Sequence, residues 1–150
     1  MKNLIYLAVV VLILSILVAC SDDTIIEDEP LIYEERQYIS KEFIKLNAKI
    51  GITTEEAEDV FGQAPVTGMT DQTETWLYDS TAYKQLTYNQ DLTAFAADEI
   101  KQEALDYQLY INFVEDKAVK YSYYYKRDDG NVWQYEVTDT GKALESIVSE

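Results

Sequence analysis

The stretch Asp106–Val137 reads DYQLYINFVEDKAVKYSYYYKRDDGNVWQYEV, and its period decides the fold. Apolar and polar residues alternate in steps of two, the repeat of half-buried strands rather than of a helix. Tyr107, Leu109, Ile111 and Phe113 fall on one face, with Gln108, Tyr110 and Asn112 on the other. A turn near Asp116 returns the chain, and Val119, Tyr121, Tyr123 and Tyr125 line one face of a second strand. Asp129-Gly130 is a two-residue hairpin signal, after which Trp133, Tyr135 and Val137 align on a third. Consecutive strands joined by tight turns make an antiparallel meander. Upstream, TETWLYD (Thr73–Asp79) puts Trp76 and Tyr78 on one side and adds a fourth strand. Downstream, TGKALESIVSE allows a short helix through Leu144, Ile147 and Val148.

Before Pro65 the period is helical. Ile39, Phe43, Leu46 and Ile50 recur at spacings of four, three and four, with Ser40 as N-cap, an Ile39–Ile44 staple and Gly51 as the stop. Thr53-Thr54-Glu55-Glu56 is a capping box opening a second helix, whose apolar face is Ala57, Val60 and Phe61. Gly62 suits a left-handed cap, and Pro65 forbids continuation. Residues 80–105 interrupt the strands: KQLTYN reads as a strand, and DLTAFAADEIKQEAL carries Leu92, Phe95, Ala96 and Ile100 at helical spacing. The expected fold is therefore α+β: two short N-terminal helices packed on an antiparallel meander sheet of three to four strands, with a helical insertion at about 80–105.

The N-terminus says where this domain works. Lys2 precedes Leu4–Ala19, a run of 16 uncharged residues, shorter than the roughly 20 that span a bilayer. Leu17-Val18-Ala19-Cys20 resembles the lipobox of bacterial lipoproteins. The resemblance implies cleavage between Ala19 and Cys20, and a diacylglyceryl thioether on Cys20. Two acyl chains hold a protein on a membrane where one does not, at about 0.8 kcal/mol per buried methylene. Residues 1–19 are then a signal peptide, 20–37 a lipidated tether, and 38–150 the domain. The tether carries Asp22, Asp23, Glu27, Asp28, Glu29, Glu34 and Glu35 before its first base, Arg36, and mutual repulsion favours an extended segment.

Composition excludes much chemistry. The chain has 28 acids and 12 bases, and loss of Lys2 with the signal moves its formal charge from −16 to −17. Such a surface repels nucleic acid. There is no histidine, and the single cysteine is committed to lipid, so a zinc, copper or iron–sulfur site, a Ser/His or Cys/His nucleophile and a disulfide are all disfavoured. No cofactor or small-molecule site is expected. Glu55, Glu56, Glu58 and Asp59 lie where acids favour a helix dipole, and Asp128-Asp129-Gly130-Asn131 lacks the alternating ligands of a calcium loop. No catalytic residue is assigned.

At KIGITTEEAEDVFGQAP the chain resembles the small lipoproteins of the SmpA/OmlA (BamE-like) family and the beta-lactamase-inhibitor-protein-like domains. Gly51, Ile52, Thr53, Ala57, Phe61, Gly62 and Pro65 carry the likeness, followed by Trp76, Tyr78, Leu109, Ile111 and Phe113. Gly62 and Pro65 stand one residue further apart than the family's commonest spacing, and the insertion and the Trp133 strand are additions. The resemblance implies a binding module, either an outer-membrane assembly accessory or an inhibitor that grips an enzyme through its sheet.

The 13 tyrosines fit that role, because Tyr combines a rigid ring with a polar tip. Tyr110 and Tyr124 are expected on the sheet face away from the helices, as an exposed aromatic surface for a partner. The expectation is an extracytoplasmic, membrane-anchored, non-enzymatic module that engages an envelope protein. The alternatives are a carboxylate-based hydrolase and a glycan-binding module acting on wall polymer.

Overall fold

A computed structural model describes residues 37–149, except Asp71 and Gln85. The expected signal peptide, Cys20 and all of the expected tether but Gln37 lie outside the described residues. Six strands form one sheet in sequence order, every neighbour antiparallel: β1 Val66–Thr70, β2 Thr73–Asp79, β3 Tyr107–Val114, β4 Lys117–Lys126, β5 Val132–Val137 and β6 Ala143–Ser149. The expectation of three to four strands was wrong. β1 (VTGMT) is short and broken by Gly68, and its turn lacks Asn-Gly or Asp-Gly, with Gln72 at φ 67°. β6 is where a C-terminal helix was expected. Leu144, Ile147 and Val148 imitate helical spacing, but Gly141, at φ 71°, closes a hairpin that lays the segment along β5. Pairing with a neighbouring strand overrides a local pattern this short.

The hairpins follow turn chemistry. Glu115 and Asp116 both take positive φ, 48° and 59°, and form the two-residue loop between β3 and β4. Asp129-Gly130 belongs to a longer loop than expected: Gly130 N–H donates to Arg127 O (3.0 Å) and Arg127 N–H to Asn131 O (3.1 Å). A bulge at Asn112/Phe113 pairs Phe113 with Ala118, so Ala118, not Val119, enters the core.

One sheet face carries α1 (Lys41–Asn47) and α2 (Thr54–Phe61). Ser40 caps α1 by accepting from Phe43 N–H, and the capping box of Thr53 and Glu56 is formed in both directions. Helix α1 stops at Asn47, short of Gly51, because the linker turns to pair with β4: Gly51 N–H donates to Ala118 O (2.7 Å) and Ala118 N–H to Ile52 O (2.9 Å). Leu46, expected on the apolar face, is 77% exposed. Phe43, Phe61, Tyr78 and Tyr121 meet ring to ring between helices and sheet, over Leu109, Ile111 and Phe113.

The inward tyrosines are fasteners as well as filler. Tyr78 donates its hydroxyl to Gly62 O (2.7 Å), Tyr121 to Lys49 O (2.8 Å) and Tyr123 to Ile39 O (3.0 Å). Each satisfies a carbonyl at a helix end or linker that has no place in a ladder. Burial pushes all three phenols up from their ordinary range. Tyr121→Phe is expected to cost about 1–2 kcal/mol in urea unfolding, with an unchanged transition slope, because it strands the Lys49 carbonyl.

Residues 80–105 are a strap across the opposite sheet face, and among the described residues its helices are two short ones, α3 (Thr81–Lys84) and α4 (Ala97–Lys101). The expected strand at KQLTYN and long helix from Leu92 do not form. Instead Ile100, Leu105 and Val132 close a second apolar cluster with Leu86, Tyr88, Phe95 and Tyr124 around it. At the far end Leu92 lies over β1: a methyl group at Gly68 would sit 2.5 Å from Leu92 Cδ1. Beneath the strap, Asp79 accepts from Thr81 N–H (3.0 Å), the Thr81 hydroxyl, Tyr88 O–H (2.7 Å) and Gln90 Nε2 (2.8 Å). Gln108, fully buried, donates to Tyr88 Oη (2.6 Å) and accepts from Ala96 N–H (2.7 Å).

Candidate functional site

The strap changes where a partner could be met. Tyr110 and Tyr124 do lie on the face away from the helices, but the chain's own insertion occupies that surface. Tyr110 is 7% exposed and donates to Asp91 O and Ala94 O, both at 2.9 Å. Tyr124 is half-buried and stacked on Phe95, with ring centroids 4.3 Å apart and planes 3° from parallel. Its edge-on neighbour is Tyr110, at 5.8 Å. The exposed aromatic surface expected from these two residues is therefore absent.

Another aromatic surface takes shape on the helix side, where β4, β5 and β6 run beyond α1. Cross-strand register aligns Tyr125, Trp133 and Ile147 in one row, and Tyr123, Tyr135 and Glu145 in the next. Residues opposite each other across a ladder share a face, so the rows are contiguous. Tyr125, Trp133 and Tyr135 are half-buried, and Ile147 is exposed. The β4–β5 turn holds the charged groups above them. Arg127 lies 4.2 Å from the Trp133 ring centroid, and Trp133 Nε1 donates to Asp129 Oδ2 (3.0 Å). Asp129 also accepts from Asn131 N–H (2.9 Å), which helps hold its carboxyl below the usual range. Asp129 thus braces the β4–β5 turn.

At the centre sits Glu145. Tyr125 donates its hydroxyl to it, Lys41 reaches it at 2.9 Å and Arg127 at 3.7 Å. Lys41 also donates to Tyr125 Oη at 2.8 Å. The Tyr125 hydroxyl, then Lys41 and Arg127, hold the Glu145 carboxyl below its ordinary value. A carboxylate with a depressed folded-state pKa stabilises above its unfolded value and loses that contribution as pH falls through the folded one. Glu145→Gln is therefore expected to be less stable than the parent at pH 7. The two urea curves should converge as pH drops below about 4.3.

Beside this group opens a hollow of about 530 Å³, lined in part by Tyr38, Lys41, Tyr125, Lys126, Arg127 and Asp128. Its rim alternates in charge: Lys126 pairs with Glu103 (2.6 Å), and nearby Lys84 with Asp106 (2.8 Å). Glu55, Glu56, Glu58 and Asp59 are exposed on α2, away from this hollow's lining. Among the described residues, no group of three or more His, Cys, Asp or Glu side chains is placed to hold a metal, and no helix is long and apolar enough to cross a membrane.

No family model, curated protein or solved structure matches this chain.

The site therefore rests on its own chemistry. Trp, Tyr and Arg are the residues that most often carry the energy of protein contacts, and here all three are half-exposed or exposed in one patch. The two-residue period aligned Trp133 and Tyr135 on one face of their strand and Tyr125 on one face of its own, and singled out none of them as a contact residue. What the period does not encode is how α1 meets this end of the sheet: it arrives with its first residue, Lys41, and leaves Trp133 and Tyr135 half-buried beside it. The available signal was Arg127, two residues beyond Tyr125 at the mouth of a tight hairpin and placed to cover a neighbouring ring.

Proposed function

We propose that this protein is a lipid-anchored module of the bacterial cell envelope that grips a protein partner through the Tyr125–Trp133–Ile147 and Tyr135 surface. The single observation that carries the reading is the Arg127–Trp133 stack within a half-exposed aromatic row. A flat, pre-organised indole held by Asp129 and Arg127 loses little side-chain entropy on contact. The Glu145 carboxylate at the centre is neutralised by Lys41, and Lys126 pairs with Glu103 at the rim, which lowers the cost of desolvating this surface. The Cys20 anchor and the likeness to SmpA/OmlA (BamE-like) lipoproteins support the location and the binding role.

Neither alternative gains a specific observation. Asp79, the acid buried between sheet and strap, is fully engaged by hydroxyl and amide donors. A photo-crosslinking amino acid at position 135, activated on intact cells, tests the proposal. It should capture a discrete protein band, while the same group at exposed position 46 should not. Equal, diffuse capture at both positions would overturn it.

A further inference from the structure

The sheet has two edges, and they differ. Edge strands offer a row of unpaired N–H and C=O groups, which proteins usually blunt with Lys, Pro, bulges or a covering segment. At β1 the edge is five residues long, and Leu92 of the strap packs over its Gly68. β6 is longer, reads ALESIVS and contains no Lys or Pro. Its bulge, between the Val132–Ser149 and Trp133–Ile147 pairs, lies at the far end and leaves Ala143–Ile147 regular. Leu144 is 61% and Ile147 42% exposed. The only charge on the strand, Glu145, is drawn back over the sheet by Lys41, Tyr125 and Arg127.

We infer that β6 is a strand-addition site whose occupant is β6 of a second copy, paired antiparallel about a two-fold axis perpendicular to the sheet. That axis keeps each residue on its own face, so only registers pairing residues of equal parity are open. Centring on Glu145 would set that carboxylate opposite its own copy, which is unfavourable. Centring on Leu144 or Ile147 pairs fewer residues of the strand. Centring on Ser146 pairs Glu145 with Ile147 of the copy in both directions and brings Leu144 against Val148, where the copy's bulge begins. No like charges meet, and exposed apolar side chains are covered on both faces. The closed symmetry consumes both β6 edges, whereas a β6-to-β1 contact would propagate into filaments. The helix-side rows of the two copies would then lie on one side of a continuous twelve-stranded sheet. This inference stands whether or not those rows bind a partner.

Each chain carries a formal charge of −16, so two copies repel at long range, and salt that screens this should tighten the dimer. Addition of a basic segment from another protein would weaken with salt instead. The full chain in mild detergent, followed by sedimentation equilibrium, should show a monomer–dimer equilibrium shifting several-fold toward dimer between 0.05 and 0.5 M salt. Under mild oxidation Ser146→Cys should give a disulfide dimer. Leu144→Cys should not, because its copy lies beyond the roughly 7 Å Cα separation a disulfide can bridge. The parent chain, with Cys20 alone, sets the background. Monomer at every concentration and salt, filaments, salt-weakened association, or equal crosslinking at 144 and 146 would each overturn the inference. The sedimentation result on the parent needs no variant to fold.

Discussion

Asp79→Ala is expected to release the strap while leaving the helix-side core assembled. Asp79 is 7% exposed, and four donors converge on its carboxylate: Thr81 N–H, the Thr81 hydroxyl, Tyr88 O–H and Gln90 Nε2. Truncation strands these donors in a partly buried place, at about 1–3 kcal/mol for each that finds no water. Tyr88 keeps its bond from Gln108, and Gln90 and the Thr81 hydroxyl can turn outward, so the net loss should be about 3 kcal/mol. It falls on one region because the strap closes its own cluster around Ile100, Leu105 and Val132, separate from the core under α1 and α2. Limited proteolysis should show cleavage within 86–96 faster by about a hundredfold, the factor for about 3 kcal/mol of local opening. Asp91→Ala, which removes an exposed local turn bond to Thr93, should change the rate little. Equal cleavage of Asp79→Ala and the parent would mean that apolar packing alone holds the strap.

The second large effect concerns the anchor. Cys20→Ser should abolish incorporation of labelled palmitate and leave residues 1–19 attached, which intact mass would reveal. A serine hydroxyl cannot replace the thiolate that makes the thioether, so the effect should be all or none. Acyl chains, at about 0.8 kcal/mol per buried methylene, would keep the parent with membranes through high-salt washing. An anionic domain held electrostatically would be released by that wash. Label retained in Cys20→Ser would refute the lipid assignment.

Local chemistry made several elements readable. Thr53 and Glu56 announced α2, Ser40 announced α1, and the two-residue period placed β2 to β5 with their faces in the right sense. The misses have physical causes. Leu144, Ile147 and Val148 carry both a helical and a strand reading, and only the Gly141 turn and the free edge of β5 decide between them. Val119 was displaced by a bulge that no alternation encodes. Tyr110 and Tyr124 were assigned to the correct face, but what covers a face is a non-local matter. The strap reaches it because Asp79 and Gln108, polar residues in strands, receive its hydrogen bonds. The same non-locality hid the candidate site: the period puts Trp133 and Tyr135 on one face of their strand but does not say where α1 leaves that face open.

If the Tyr125–Trp133–Ile147 surface grips a partner, Trp133→Ala should weaken that contact more than any substitution outside it. With the protein captured from position 135 purified, its dissociation constant for the parent and the variant should be compared at one salt concentration. Trp133→Ala should bind about thirtyfold more weakly or worse, the loss of about 2 kcal/mol expected at a buried aromatic anchor. Leu46→Ala should bind as the parent does. Equal affinity for Trp133→Ala and the parent, with the variant folded, would contradict the account.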